Sequence, residues 1–262
     1  MIFDLHNDYP TALNEARYAD YSSALSAGVT AVAAIWTSEP GQNACDRVAR
    51  MTAKLSALGV PIAVEDIGFL SERNEYEKFC YKAYLYCSLT WNYNNAFAGG
   101  ASDDGGLTEL GKRAIARMNV DRCALDVAHL NKKSFYDAIE CSEKVLCSHT
   151  GFNGHARSLD DSQIRALIDK RAVIGLCAVT AFTDAKTSDE LQTVIDGFVQ
   201  KYGADNLAIG SDFNGTVDLP TDVTDYTGLA EVADGLLRRG YDRNTVNKIF
   251  YGNAHSFFYS EK

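Results

Sequence analysis

Short apolar runs rich in β-branched residues alternate along this chain with longer stretches in which apolar positions recur every three or four residues. The short runs predict strands at Ile2 to His6, Val29 to Trp36, Val60 to Val64, Tyr84 to Thr90, Arg122 to Val127, Lys144 to Ser148, Ala172 to Ala178 and Asn206 to Gly210. The longer stretches predict helices that include Asn43 to Leu58, Thr108 to Asn119, Asp160 to Lys170 and Glu190 to Tyr202. Ser158-Leu159-Asp160-Asp161 and Thr187-Ser188-Asp189-Glu190 precede two of these patterns and carry the side chains that start helices. Gly99 to Gly106 reads as a loop after the fourth strand. Eight strand-helix units in 262 residues predict an α/β protein, a (β/α)8 TIM-like barrel forming a single domain over residues 1–262. An open doubly wound sheet is the alternative, but no G-x-G-x-x-G follows the first strand to supply a dinucleotide site.

Composition narrows the partners. A net charge of -10 disfavours nucleic acid, whose affinity comes mostly from Lys and Arg displacing counterions, and suits either a cation-holding protein or a solvated acidic surface. No apolar run approaches the ~18 residues of a membrane helix, and the chain opens on a strand-like segment rather than a basic-then-apolar leader, so a cytoplasmic protein without membrane contact is expected. Seven cysteines, an odd number with no C-x-x-C, fit reduced thiols better than a disulfide framework.

The candidate chemistry sits at predicted strand ends. In His6-Asn7-Asp8 the imidazole and the carboxylate are two apart and share one side of a strand. Glu65 ends the third strand, His129 follows Leu125 to Ala128, His149 follows Val145 to Ser148, and Asp212 follows Ala208 to Ser211. The carboxyl ends of barrel strands converge on the face that carries catalysis. Six nitrogen and oxygen donors there would suit zinc, and manganese or cobalt as well. Each residue also has a structural alternative: His129 and His149 as hydrogen-bonded histidines, Glu65 as a helix cap, Asp212 as a turn former.

Taken together, His6-Asn7-Asp8, Val64-Glu65, Leu89-Thr90-Trp91-Asn92, Gly106-Leu107-Thr108, Asp126-Val127-Ala128-His129, Ser148-His149, Arg157 and Gly210-Ser211-Asp212-Phe213-Asn214-Gly215 resemble, in order and spacing, the membrane (renal) dipeptidase family. The resemblance implies a zinc dipeptidase on an amidohydrolase-type barrel, with one zinc on His6 and Asp8, a second on His129 and His149, and Glu65 bridging both. It further implies a metal-bridging hydroxide as nucleophile, Asp212 as the carboxylate that accepts the water's proton and passes it to the departing amine, and Arg157 beside the substrate's α-carboxylate. The substrate class would be a dipeptide or similar acylated amino acid, a D-configured C-terminal residue being tolerated, and the resemblance leans towards a homodimer.

Several positions depart from the family pattern. Trp91 stands where a histidine that contacts substrate is expected, and indole offers a single N–H donor. The interval from Asp8 to Glu65 and the segment from His149 to Arg157 are short, which suggests a more open pocket. Asn214 replaces an expected aspartate, and His155 has no clear counterpart, so it reads as a loop residue or a substrate contact. A related amidohydrolase acting on another small amide, ester or lactam, and a catalytically silent metal-binding barrel, are the competing readings.

Overall fold

A computed structural model describes residues 1–14, 28–37, 42–71 and 75–260. Its strands are β1 (Ile2–Asn7), β2 (Val29–Trp36), β3 (Ile62–Glu65), β4 (Tyr86–Ser88), β5 (Ala124–Asp126), β6 (Val145–Thr150), β7 (Val173–Leu176) and β8 (Leu207–Ile209). They close into a barrel in sequence order, as the alternating pattern predicts. The register is parallel: Ala33 to Trp36 of β2 lie beside Ile62 to Glu65 of β3, Ile174 to Leu176 of β7 beside Leu207 to Ile209 of β8, and Asp4 of β1 beside Ile209. Every residue of β1, β3 and β6 is buried, the polar ones at the strand ends included, as in a parallel barrel covered on both faces.

The longer helices are α1 (Tyr9–Asn14), α2 (Gln42–Ala57), α3 (Glu109–Asp121), α4 (Lys132–Cys141), α5 (Asp161–Asp169), α6 (Ser188–Tyr202), α7 (Tyr226–Arg238) and α8 (Asn253–Tyr259). The predicted starts of α5 and α6 are present as caps. Asp160 and Gln163 form a reciprocal capping box, and Thr187 Oγ1 accepts from the Glu190 N–H at 3.3 Å. The predicted fourth strand is shortened at its end because the chain leaves the ladder there, with Asn95 Nδ2 donating to the Leu89 carbonyl at 2.7 Å. Among the described residues no helix is long and apolar enough to cross a membrane.

Contacts between residues divide the chain into two compact units, Met1–Val32 with Cys147–Lys262, and Ala33–Leu146. In the first unit, α6 buries Leu191 and Ile195, α7 buries Leu229, Val232 and Leu236, and Phe3 of β1 stacks on Phe258 of α8 at 6.0 Å. In the second, Val64, Tyr86 and Leu125 of the strands are buried together with Ile115 of α3 and Phe135 of α4. Burying one such Leu or Ile side chain is worth about 1.5–3 kcal/mol, so the strand ends are held by a firm frame.

Two glycines fix how the strands of the first unit approach. A Cβ at Gly210 would fall 1.8 Å from the Ser148 carbonyl oxygen, and one at Gly175 would fall 2.0 Å from the same atom. Only glycine fits either position. Gly210 therefore lets β8 run close to β6 immediately before Asp212, and next to His149.

Candidate metal centre

In the first unit His6 leaves β1 and His149 leaves β6, both essentially fully buried, with their rings 3.9 Å apart at 40°. His6, His149 and Asp212 each offer a ligand atom, and the three atoms lie within 4.8 Å of one another. Asp8 is buried beside them, its Oδ2 3.3 Å from His6 Nε2. The Ser148 hydroxyl lies 2.9 Å from His149 Nδ1 and 3.4 Å from His6 Nδ1. The hydroxyl at both Nδ1 atoms helps orient the two rings, and His6 Nε2 faces Asp8.

Asp212 sits in the turn Asp212-Phe213-Asn214-Gly215, with φ of 63° at Asp212 and 70° at Asn214. The turn is tied to β1 by the Asp212 N–H on the His6 carbonyl at 3.1 Å and the Asp8 N–H on the Phe213 carbonyl at 2.8 Å. A Cβ at Gly215 would meet Asp8 Oδ2 at 2.3 Å and Asp212 Oδ1 at 2.6 Å, so both carboxylates rest against bare backbone. Asn214 has a role that aspartate could not fill as a carboxylate: its Nδ2 donates to Asn7 Oδ1 at 3.0 Å. Burial first, and the charge of Asp8 second, push the Asp212 carboxyl well above the usual carboxylate range, while His6 and Arg157 pull it back.

Beneath this turn lies Asp4, which the sequence reading does not single out. It is fully buried and accepts from the Ser211 N–H at 2.7 Å, the Ser211 hydroxyl at 2.5 Å, the Tyr226 hydroxyl at 2.8 Å and the His6 N–H at 3.2 Å. Asp4 thereby fastens the end of β1 to the residue preceding Asp212. Its signal was present, since Asp4 and His6 occupy alternate positions of β1 and Asp8 follows at the same spacing.

Arg157 is buried, and its Nη2 donates to His149 Nε2 at 2.8 Å while its guanidinium lies 5.5 Å from the Phe182 ring centre. The loop that carries it is held by Thr150 Oγ1 donating to the Arg157 carbonyl at 3.0 Å. His155 is exposed, and its Nδ1 accepts the Arg157 N–H at 3.1 Å, so here it braces the loop. A cavity of about 470 Å³, lined by Phe152, Ile164, Phe198 and Tyr202 among others, contains none of the candidate ligands.

In the second unit Glu65 ends β3 and His129 follows β5, both buried, with His129 Nε2 2.8 Å from Glu65 Oε1. His129 Nδ1 is 2.9 Å from Asn92 Oδ1, an acceptor, which assigns a proton to Nδ1 and leaves Nε2 facing Glu65. Asn92, which the sequence reading names only within Leu89-Thr90-Trp91-Asn92 and gives no role, is a second supporting residue. The capping role considered for Glu65 belongs instead to Asp66, whose Oδ1 accepts from the Gly68 N–H at 2.7 Å. Trp91 lies beside His129, with ring centres 6.0 Å apart.

Buried imidazoles held through Nδ1, two of them with a carboxylate at Nε2, form a donor set that fits a divalent cation of the zinc, manganese or cobalt type. A family model for membrane dipeptidases, peptidase family M19, matches residues 43–258. An uncharacterised protein in the pqqA 5′ region of Klebsiella pneumoniae is 31% identical over 229 residues, covering 79% of this chain and 80% of that protein. A solved metallopeptidase of family M19, described as dipeptidase AC, superposes with a TM-score of 0.87 at 20% identity over 98% of this chain and 97% of its own. A metallopeptidase from Rhodobacter sphaeroides, solved with a phosphinate mimic of the dipeptide L-Ala-D-Ala, gives 0.84 at 19% identity over 98% of each chain.

Proposed function

The chain belongs to the membrane dipeptidase family, peptidase family M19, as a metal-dependent dipeptidase, and from that premise we propose a binuclear zinc centre that hydrolyses dipeptides, including those with a D-configured C-terminal residue. The observation that carries the proposal is the convergence of His6, His149 and Asp212 within 4.8 Å, with Asp8 beside them. His6 and Asp8 would hold one ion, His129 and His149 the other, and Glu65 both. When bound, two such ions polarise the scissile carbonyl and lower the pKa of a shared water from about 15.7 towards 7.

Asp212 takes the proton from the attacking water and delivers it to the nitrogen as the C–N bond breaks, so that carboxylate and amine leave together. Arg157 turns from His149 Nε2 to the substrate's terminal carboxylate, whose two oxygens match the guanidinium fork. The L-Ala-D-Ala mimic bound by the Rhodobacter sphaeroides enzyme supports the D-configured substrate. Cysteine usage supports a cytoplasmic setting.

The test is release of alanine from L-Ala-D-Ala and L-Ala-L-Ala by the zinc-loaded protein, the chelator-treated protein and the reloaded protein. Cleavage that disappears with the metal and returns with it is expected. Full metal loading without cleavage of either peptide would overturn the proposal and favour another small amide, ester or lactam, the reading that Trp91 supports.

A further inference from the structure

Trp36 closes β2 in register with Glu65, and its ring centre is 5.2 Å from that of Trp91, at 51°. Trp91 in turn lies 6.0 Å from His129 at 31° and 6.1 Å from Tyr93 at 59°. The three aromatic rings thus form a continuous apolar wall that begins at a candidate ligand imidazole and ends at Tyr93, which is 63% exposed. Trp36 and Trp91 are only partly buried. An indole pair packed for stability alone would gain most by full burial, whereas a half-covered ladder leading outward from a ligand leaves ring faces for a flat apolar group to stack on.

We propose that this wall selects the acyl side of the substrate, favouring dipeptides whose N-terminal residue is aromatic over those with small side chains. The inference rests on the dipeptidase proposal. Two candidate imidazoles have a recognition element beside them: Arg157 at His149 accounts for the terminal carboxylate, and the rings at His129 are left for the side chain next to the attacked carbonyl. Trp91 carries the selection because its ring neighbours those of Trp36, Tyr93 and His129 together.

The experiment compares kcat/KM for Phe-Ala, Leu-Ala, Ala-Ala and Gly-Ala on the metal-loaded protein, with calorimetric binding of L-phenylalanine and L-alanine as a readout independent of turnover. Phe-Ala should exceed Ala-Ala by about tenfold or more, the scale of one aromatic contact with its buried area, and L-phenylalanine should bind more tightly by a similar factor. In Trp91→Ala both ratios should fall to within about twofold of unity, and Trp91→Phe should restore most of them. Tyr93→Ala, at an exposed position that folding tolerates, should lower the ratios in the same direction.

Equal values across the four peptides, or a preference that survives Trp91→Ala, would overturn the wall while leaving dipeptide hydrolysis standing. Absence of cleavage with tight, Trp91-dependent binding of L-phenylalanine would overturn the hydrolysis and leave the wall standing.

Discussion

Removing Asn92, which the structure places behind His129 rather than among the ligands, should weaken one metal and spare the other. His129 Nδ1 lies 2.9 Å from Asn92 Oδ1, and Nε2 lies 2.8 Å from Glu65. A neutral imidazole carries one proton, so the Asn92 carbonyl oxygen selects the tautomer that presents Nε2 to a cation. In Asn92→Ala the ring forfeits a hydrogen bond worth about 0.5–1.5 kcal/mol and must also be reoriented at the moment of binding. Partners of this kind typically account for about 10–100-fold in metal affinity, or about 1.4–2.7 kcal/mol. A loss of about 10–30-fold is expected here, because the ring stays walled by Trp91. The assay is competition with a coloured chelator, resolving two binding steps per chain. One step should weaken in Asn92→Ala while the other stays within about twofold, and Asn92→Asp should retain the affinity because a carboxylate accepts the same bond. A change below about threefold in both steps, or an equal loss in both, would refute the role assigned to Asn92.

Other expectations follow from the same coordinates. Asp212→Asn should keep its bound metal yet lose most turnover, since an amide cannot carry the proton, and steady-state kinetics beside elemental analysis checks this. Asp161 is held well below the usual carboxylate range by Lys201, Tyr202 and Arg165, so its contribution to stability is present above its unfolded value of 3.8 and is lost as pH falls through the lower folded value. Asp161→Asn should therefore lower Tm near pH 7 and should not differ from the parent in strong acid, which a thermal melt series reads directly. Native thiol titration should modify exposed Cys80 first and leave Cys177, buried and pushed up to about 12, unmodified until the chain unfolds. Early labelling at Cys177, seen by peptide mapping, would contradict its placement.

The fold was legible because buried parallel strands are written as short β-branched runs, and Val29 to Trp36 is one whose limits agree with the structure. The candidate ligand residues were legible because His6, Glu65, His129 and His149 end or follow such runs, and the roles proposed for them come from resemblance to a family. What supports them was not. Asp4 meets Ser211 across 207 residues and Asn92 meets His129 across 37, and no local pattern connects residues so far apart. Tyr226 reaches Asp4 from the start of α7, a helix that the strand-centred pattern left unassigned. The end of β4 was overextended for a related reason: Leu89 continues the apolar run, but its carbonyl bonds to Asn95 instead of a neighbouring strand.

The central claim is the proposed binuclear zinc centre. The most direct measurement is elemental analysis of the full chain after zinc reconstitution and removal of excess metal, referred to protein concentration. About two ions per chain are expected from a carboxylate-bridged pair. A ratio of about one would leave only a mononuclear site and contradict the bridging role of Glu65, and a ratio near zero would contradict the metal centre itself.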